Sequence, residues 1–222
     1  RGREKRMASK SIAVASAFGF VFALVTAFTG DRSGAVIART QPMKLAAMEA
    51  LYEGSEGAPL TVVGVLQSEE KRSAGETFHF RIDIPKLLSI MSFRDAEAYV
   101  AGINDLIEGN AGRGILSAEE KIARGRAVVA TLDRYRTARD GGDEGTMRQI
   151  EELFNPDTAQ GEHFLREYFA YFGYGYIDDV QQLVPNVPLL FYSFRVMVGA
   201  GCLFILVLGL VWWYNRRDRL AA

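Results

Sequence analysis

Two long apolar stretches without a charged residue lie near the two ends of this chain. One covers residues 11–29 and the other residues 196–214, and each is 19 residues long. A helix of that length measures about 28 Å, close to the roughly 30 Å hydrocarbon thickness of a bilayer. The second stretch is preceded by further apolar residues and ends in the aromatic run WWY, which is typical of a membrane interface. The sequence therefore predicts membrane-spanning helices over residues 11–30 and 188–214.

Each stretch also has an alternative interpretation without a membrane span. The first resembles a secretory signal peptide, and the second resembles a buried core helix. A signal peptide has an apolar region of roughly 7–15 residues and a small-residue cleavage site, whereas the first stretch is longer and has no clear A-x-A site. A soluble core helix is shorter and amphipathic, which the second stretch is not. Two membrane spans are therefore the better prediction.

The charges of the chain are distributed unevenly around these spans. The net charge of −1 argues against a nucleic-acid-binding protein, and a single Cys excludes a disulfide framework within the chain. Residues 1–10 carry a net charge of +4, residues 215–222 carry +2, and residues 31–187 carry −8. Because cytoplasmic flanks are rich in Lys and Arg, we expect both flanks to be cytoplasmic and the 31–187 loop to be periplasmic. The chain starts at Arg1 rather than Met, so we expect a fragment of a longer protein.

The 31–187 loop has the patterns of a folded, mostly helical domain. Residues 77–84 alternate apolar and polar side chains, the period-2 pattern of a half-buried strand, and residues 59–66 are their predicted partner in a hairpin. Ser92 and Ser117 are each followed three residues later by an acid, as in a capping box, so each is predicted to begin a helix. The predicted helices cover residues 42–53, 92–109, 117–139 and 143–154. The predicted fold class is a mainly α membrane protein, with two transmembrane helices flanking a mostly helical extracytoplasmic loop domain that contains a small β-hairpin.

Arg195 and Met197 are candidate functional residues because they lie within the second apolar segment. An arginine in a membrane helix is costly unless it is paired, hydrated or extended toward the surface. Arg195 therefore either reaches the lipid headgroups or binds an anionic partner such as a carboxylate or a cofactor propionate. Met197 is ordinarily apolar filler, although a thioether can also be an axial ligand of haem iron. The small residues that follow it would allow a macrocycle or another helix to approach closely.

Lys44 and Glu49 form a second candidate pair in the segment that follows the first span. They are five residues apart, which places them about 140° apart on a helix, too far for an ion pair with one another. Both are then available to another group. A quinol headgroup at the membrane surface needs a hydrogen-bond donor and an acceptor for its proton, and Lys and Glu can fill these roles. The alternative is two solvated charges on an amphipathic helix.

Two segments that contain these candidates resemble one protein family. GDRSGAVIARTQPMKLAAMEALYEG is similar to the end of transmembrane helix six and the start of the quinol-binding loop in subunit I of cytochrome bd quinol oxidase. PLLFYSFRVMVG is similar to the start of helix seven in the same subunit. The resemblance spans the whole chain as helix six, the periplasmic Q-loop and helix seven.

The resemblance implies roles for individual residues. Gln41, Lys44 and Glu49 match the quinol-binding positions, Lys44 and Glu49 being those implicated in quinol oxidation, and Asp31 lies nearby in the same motif. Met197 matches the axial methionine ligand of the low-spin haem b iron, and Arg195 matches the arginine beside that haem.

At the level of the whole protein, the resemblance implies a quinol:oxygen oxidoreductase in the bacterial inner membrane. Electrons would pass from quinol through the low-spin haem b to a second haem b and haem d, where oxygen is reduced to water. The expected partners are the remainder of subunit I, subunit II, membrane lipid and membrane quinol, with no nucleic acid. The other haem ligands are absent from this chain, so we expect the segment alone to be inactive.

A two-span sensor with an extracytoplasmic ligand-binding domain is the alternative function. This layout would explain the topology and the charge distribution equally well. It gives no reason, however, for Arg195 and Met197 within the second span, or for the Lys44/Glu49 motif next to the first.

Overall fold

The computed structural model describes residues 2–73 and 75–216. The chain forms two compact units, one made of Arg1–Val100 with Asn186–Ala222 and the other of Ala101–Pro185. Arg1 and residues 217–222, which make up most of the predicted second flank, lie outside the described residues.

The secondary structure is mainly helical. The helices are α1 Gly2–Thr40, α2 Pro42–Glu49, α3 Glu69–Ser73, α4 Leu87–Phe93, α5 Ile103–Glu108, α6 Ala118–Gly141, α7 Glu144–Leu153, α8 Ala159–Glu167 and α9 Val187–Arg216, with short 3-10 segments at Ala111–Arg113, Phe169–Tyr176 and Val180–Leu183. The strands are β1 Ser55–Glu56, β2 Leu60–Leu66, β3 Phe78–Ile84 and β4 Tyr99–Val100.

The two apolar stretches form α1 and α9, and both helices are long and apolar enough to cross a membrane. They run antiparallel, because Ser9 Oγ donates to Asn215 Oδ1 (2.9 Å) near one end while Gly19 lies against Leu208 further along. Many of their other apolar side chains are exposed, which a core helix of a soluble protein would not show. The predicted fold class, a mainly α membrane protein with a small β component, is confirmed.

α1 continues well beyond the predicted end of the span and stops at Thr40. Gln41 breaks the helix, since a residue before proline is disfavoured in helical conformation, and it has φ −138° and ψ 58°. Pro42 then begins α2, where its missing N–H costs nothing because the first turn has no acceptor for it.

α2 ends at Glu49, four residues before the predicted end at Glu53. Ala50 adopts the left-handed conformation with φ 50°, and Leu51 N donates to Ala46 O (2.8 Å), which closes the helix. The early end places the Glu49 side chain at the carboxyl terminus of α2, where it takes part in the site described below.

β2 and β3 form the predicted antiparallel hairpin, but its exposed face is the apolar one. A half-buried strand ordinarily buries its apolar side chains, whereas Phe80 is 57% and Ile82 53% exposed. The polar side chains Thr61 and Asp83 face the opposite way, and Thr61 is buried. The alternating pattern shows that the two faces differ, but it does not show which face the rest of the chain will cover.

The predicted helix over residues 92–109 is wrong. Ser92 is buried near the end of α4 rather than at the start of a helix, and Arg94 leaves α4 in the left-handed conformation. Strand β4 follows and pairs with β1 in a second small sheet that was not predicted. The helix that does form begins after Gly102, whose N–H donates to the Asp105 side chain (2.9 Å).

The second unit contains α6, whose predicted start is confirmed by the side chain of Ser117, which accepts from Glu120 N (3.1 Å). The 3-10 segment Phe169–Tyr176 packs closely against this helix. A Cβ added to Gly125 would lie 2.4 Å from Gly175 N and 2.5 Å from Tyr171 O, so the two backbones meet with no room for a side chain.

Gly125→Ala should therefore destabilise the second unit by about 1–3 kcal/mol, because the added methyl group forces two backbones apart. Helix propensity alone would act in the opposite direction, stabilising α6 by about 1 kcal/mol. Gly141→Ala in the same helix is the matched control, since its Cβ meets open space. Limited proteolysis of the loop at increasing temperature in the full-length protein measures both changes, and equal resistance of the two variants would contradict the close approach.

Candidate functional site

Arg195 lies two turns inside α9 and extends into the loop rather than toward lipid. Its Nη1 donates to Met48 O (2.7 Å) and to Phe191 O (3.2 Å). Its Nη2 donates to Glu49 Oε2 (2.9 Å) and to Thr61 O (2.8 Å). The sequence left lipid headgroups, a carboxylate or a cofactor propionate as possible partners of Arg195, and the structure shows the Glu49 carboxylate as its partner. A single guanidinium joins α9 to both α2 and β2.

Glu49 is the buried carboxylate of this site, with a side chain only 3% exposed. Burial penalises the charged form and raises the pKa of Glu49 to about 7, although the positive charge and hydrogen bond of Arg195 act in the opposite direction. A position at the carboxyl terminus of α2 also disfavours a negative charge, since the helix dipole is negative there. Glu49 can therefore exchange a proton near neutral pH.

The carboxyl terminus of α2 is completed by Arg195. The last carbonyl groups of a helix have no partner within the helix, and Met48 O receives the guanidinium instead. A cation at this end of a helix is also favoured by the helix dipole. Removing Arg195 would thus leave both a carbonyl and a carboxylate without their donor.

The hairpin forms the wall of the site with its polar face. Thr61 Oγ1 donates to Asp83 Oδ1 (2.9 Å), which holds the two strands together next to Arg195. Gly64 allows the hairpin to approach α9, since a Cβ there would lie 3.2 Å from the ring of Phe191. The same ring, which is fully buried, lies 3.5 Å below the guanidinium carbon of Arg195. The charged pair is therefore enclosed by aromatic and backbone groups.

Lys44 and Gln41 are not joined to this cluster. Both side chains are exposed, at the start of α2 and just before it. Within residues 2–73 and 75–216, the Lys44 amine has no ion-pair partner. Asp31 is also separate, because it forms an ion pair with Arg94, whose Nη1 donates to Asp31 Oδ1 (3.2 Å). The structure thus places Glu49 with Arg195, while Lys44 remains available to another group at the surface.

Met197 lies on the opposite side of α9 from Arg195, since two residues correspond to about 200° of helical rotation. Its side chain is 61% exposed, and an added Cβ at Gly201, one turn further, would meet no atom within 4 Å. The exposed thioether and the open space beside it fit a residue that would bind a haem iron. The Nε of Arg195 is buried and has no hydrogen-bond partner within the described part of the chain, and it lies on the other side of α9 from Met197.

The arrangement provides two chemical functions. Glu49 is an acid–base group with a near-neutral pKa, and Met197 presents an exposed thioether on an apolar helix. No cluster of three or more His, Cys, Asp or Glu side chains suited to a metal ion occurs among the described residues.

The sequence profile of the family described as cytochrome bd terminal oxidase subunit I matches residues 1–222. The chain belongs to this family. Membership in the subunit I family removes the support for the two-span sensor as the alternative function.

Two curated relatives show how far the similarity to subunit I extends. The chain is 29% identical over 216 residues to cytochrome bd-II ubiquinol oxidase subunit 1 of Escherichia coli strain K12, covering 94% of this chain and 38% of that protein. It is 32% identical over 102 residues to a putative cytochrome bd menaquinol oxidase subunit I of Bacillus subtilis strain 168, covering 46% of this chain and 22% of that protein. The chain thus spans about two fifths of the first relative.

A solved structure of bd oxidase from Geobacillus thermodenitrificans is also similar. The TM-score is 0.40 at 22% sequence identity, and the match covers 94% of this chain and 49% of that chain.

Sequence reasoning about this subunit I segment missed the residues that surround the charged pair. Thr61 and Asp83 belong to no quoted motif, Phe191 lies in the second matching segment but was given no role, and Thr61 lies 134 positions before Arg195. The costly arginine within an apolar helix was the available signal that an anionic partner exists. Nothing in the sequence pointed to β2 as part of the site.

Proposed function

We propose that this chain is the part of a quinol oxidase subunit I that binds quinol and passes its electrons to the low-spin haem b. The observation that carries the proposal is the buried Glu49–Arg195 pair, because it places a titratable carboxylate beside the membrane helix that bears Met197. The −8 charge of the loop and the positive flanks support a periplasmic loop and cytoplasmic termini.

Glu49 accepts a proton from a quinol hydroxyl as the quinol is oxidised. A general base works best when its pKa lies near the working pH, and burial raises the pKa of Glu49 to about 7. Arg195 keeps the carboxylate oriented through its Nη2 and limits the rise in pKa with its positive charge. Quinol must gain access to this group, which the hairpin covers in the structure.

Lys44 and Gln41 bind the quinol at the exposed side of α2. Their side chains extend to the surface and are not engaged by the charged cluster. An ammonium group donates a hydrogen bond to a quinol oxygen, and an amide can donate or accept one. The two ends of the binding site are therefore an exposed donor and a buried proton acceptor.

Met197 is the residue of this chain that would hold the low-spin haem b, on the exposed side of α9. Its thioether would be available to the haem iron, whereas Arg195 lies on the other side of α9, where it binds Glu49. When bound, this haem would supply a one-electron acceptor for quinol. We propose that the oxygen-reducing groups, a second haem b and haem d, belong to the remainder of subunit I, which would pair with subunit II in the inner membrane.

The pH dependence of quinol oxidation tests the role of Glu49. Because its pKa in the folded protein is about 7, the carboxylate is protonated at lower pH and cannot accept a proton. We expect kcat/KM for quinol to rise with pH and to level off above pH 7, falling about tenfold per unit well below it. The measurement is the steady-state rate of the full-length oxidase at varied quinol concentration, at about six pH values between roughly 5.5 and 8.5.

Glu49→Asp serves as the control, since it keeps a carboxylate but changes its distance from Arg195 and should displace the midpoint. A wild-type profile without an acidic limb, or an identical limb in Glu49→Gln, would show that another group sets the dependence. The contribution of Glu49 to the free energy of unfolding should change with pH in the opposite direction. It falls as pH rises from the ordinary carboxyl pKa toward 7, because over this range the folded form holds a proton that the unfolded form has lost.

A further inference from the structure

The hairpin exposes a continuous apolar face that the site does not use. On this face Val63 pairs with Ile82 and Val65 pairs with Phe80, and Ile84 extends it along β3. These five side chains are between 45% and 57% exposed. We call the five residues the apolar face of the hairpin. Monomeric soluble proteins rarely leave such a contiguous apolar patch uncovered.

The inverted orientation of the hairpin has a local cause. β2 is held against α9 by two backbone contacts along its edge, from Arg195 Nη2 to Thr61 O (2.8 Å) and from Leu66 N to Tyr192 Oη (3.0 Å). Its inner face carries the buried Thr61 side chain and meets the ring of Phe191 at Gly64. A break in the register between Thr61 and Val63 keeps Val63 and Val65 on the outer face while Gly64 stays inward. The apolar face therefore points away from the chain because the polar face is required by the charged pair.

The depth of the hairpin follows from its contacts with α9. The aromatic end of the span at Tyr214 marks one interface, and a hydrocarbon layer of about 30 Å corresponds to roughly 20 helical residues. The opposite hydrocarbon boundary then lies close to Arg195. Phe191 and Tyr192, which the hairpin also contacts, lie about 5–6 Å further out, within a headgroup layer that is roughly 5–7 Å thick.

The chemistry of a two-stranded sheet agrees with this depth. Backbone N–H and C=O groups along a sheet edge that have no protein partner need water, so such an edge cannot lie in the hydrocarbon layer. At the boundary between headgroups and acyl chains, the edges meet water and an apolar face meets the first methylene groups of the acyl chains.

We propose that the apolar face of the hairpin is a membrane-binding surface that inserts into the lipid interface on the loop side of the bilayer. The hairpin is then an amphipathic element, with its polar face toward Arg195 and Glu49 and its apolar face toward phospholipid. The proposal rests on the membrane placement of α9 and is independent of the quinol chemistry, so either can fail alone.

Site-directed spin labelling tests the proposal in the full-length oxidase, reconstituted into phosphatidylcholine–phosphatidylglycerol nanodiscs. Labels are attached to Phe80→Cys and Val65→Cys in a background without other reactive thiols. Collision rates with molecular oxygen, which partitions into lipid, and with a water-soluble nickel chelate are then measured. We expect oxygen to dominate several-fold at both positions.

Arg81→Cys is the matched control, since Arg81 follows Phe80, pairs with the inward Gly64 and has a side chain that is 52% exposed, and there the nickel chelate should dominate. Assembly of each variant is checked by its haem spectrum. Dominance of the nickel chelate at both Phe80 and Val65 would overturn the proposal in favour of a solvated face. Low accessibility to both reagents would overturn it in favour of a face covered by another part of the protein.

Discussion

Met197→Leu in the full-length subunit should abolish the low-spin haem b signal in the reduced-minus-oxidised spectrum. Leucine preserves the apolar volume but has no sulfur that can coordinate iron. Because Met197 is 61% exposed in this chain, the substitution removes almost no packing within it, so a structural effect on the loop is not expected. We expect the low-spin haem b band to be lost completely from the spectrum of Met197→Leu.

Val196→Leu is the matched control for this spectrum. Val196 is the preceding residue of α9 and is 72% exposed, so the change adds a similar apolar side chain next to the proposed ligand. Its spectrum should be that of the unmodified oxidase. A Met197→Leu protein that assembles normally and keeps the low-spin band would refute the ligand assignment.

Glu49→Gln should lower turnover with quinol by about a hundredfold or more, while oxidation of an artificial donor that reduces the haem directly is retained. Glutamine has nearly the same shape, and its carbonyl oxygen can still accept from Arg195, but it cannot take a proton. The comparison of the two donors under identical conditions separates the proton-accepting step from all later electron transfer.

The control for this pair of assays is Glu152→Gln, which neutralises an exposed carboxylate on α7 and should leave both activities unchanged. The haem spectrum of Glu49→Gln must also be intact, because breaking a buried ion pair can destabilise a protein by several kcal/mol. Equal losses with quinol and with the artificial donor would indicate that Glu49 is structural.

The features that depend on local chemistry were predictable from the sequence. The two membrane helices follow from uninterrupted apolar length, and the start of α6 follows from the Ser117 side chain that caps it. The hairpin was located correctly by its period-2 pattern. Each of these patterns is read within about 20 neighbouring residues, which is the range over which periodicity and capping act.

The features that depend on distant contacts were not predictable. Ser92 has the spacing of a helix cap, yet it is buried in α4, while Asp105 fulfils that function elsewhere. The choice of which hairpin face is covered depends on Arg195, which lies more than 100 positions away from Thr61. The requirement for an anionic partner of Arg195 was apparent from its cost in an apolar helix, but its identity needed the fold.

The length of α1 determines the height at which Glu49 lies. Since Ser9 is level with Asn215 and Gly19 with Leu208, Arg195 is level with a point near residue 31 of α1, and the helix continues for roughly 14 Å above it. The chain turns at Gln41, and α2, which is about 12 Å long, ends with the Glu49 carboxylate 2.9 Å from the Arg195 guanidinium, so α2 must lead back toward the level of Arg195. The lengths of α1 and α2 together thus set the position of the Glu49 carboxylate. Inserting or deleting one helical turn in either helix would shift this carboxylate by about 5 Å relative to the Arg195 guanidinium.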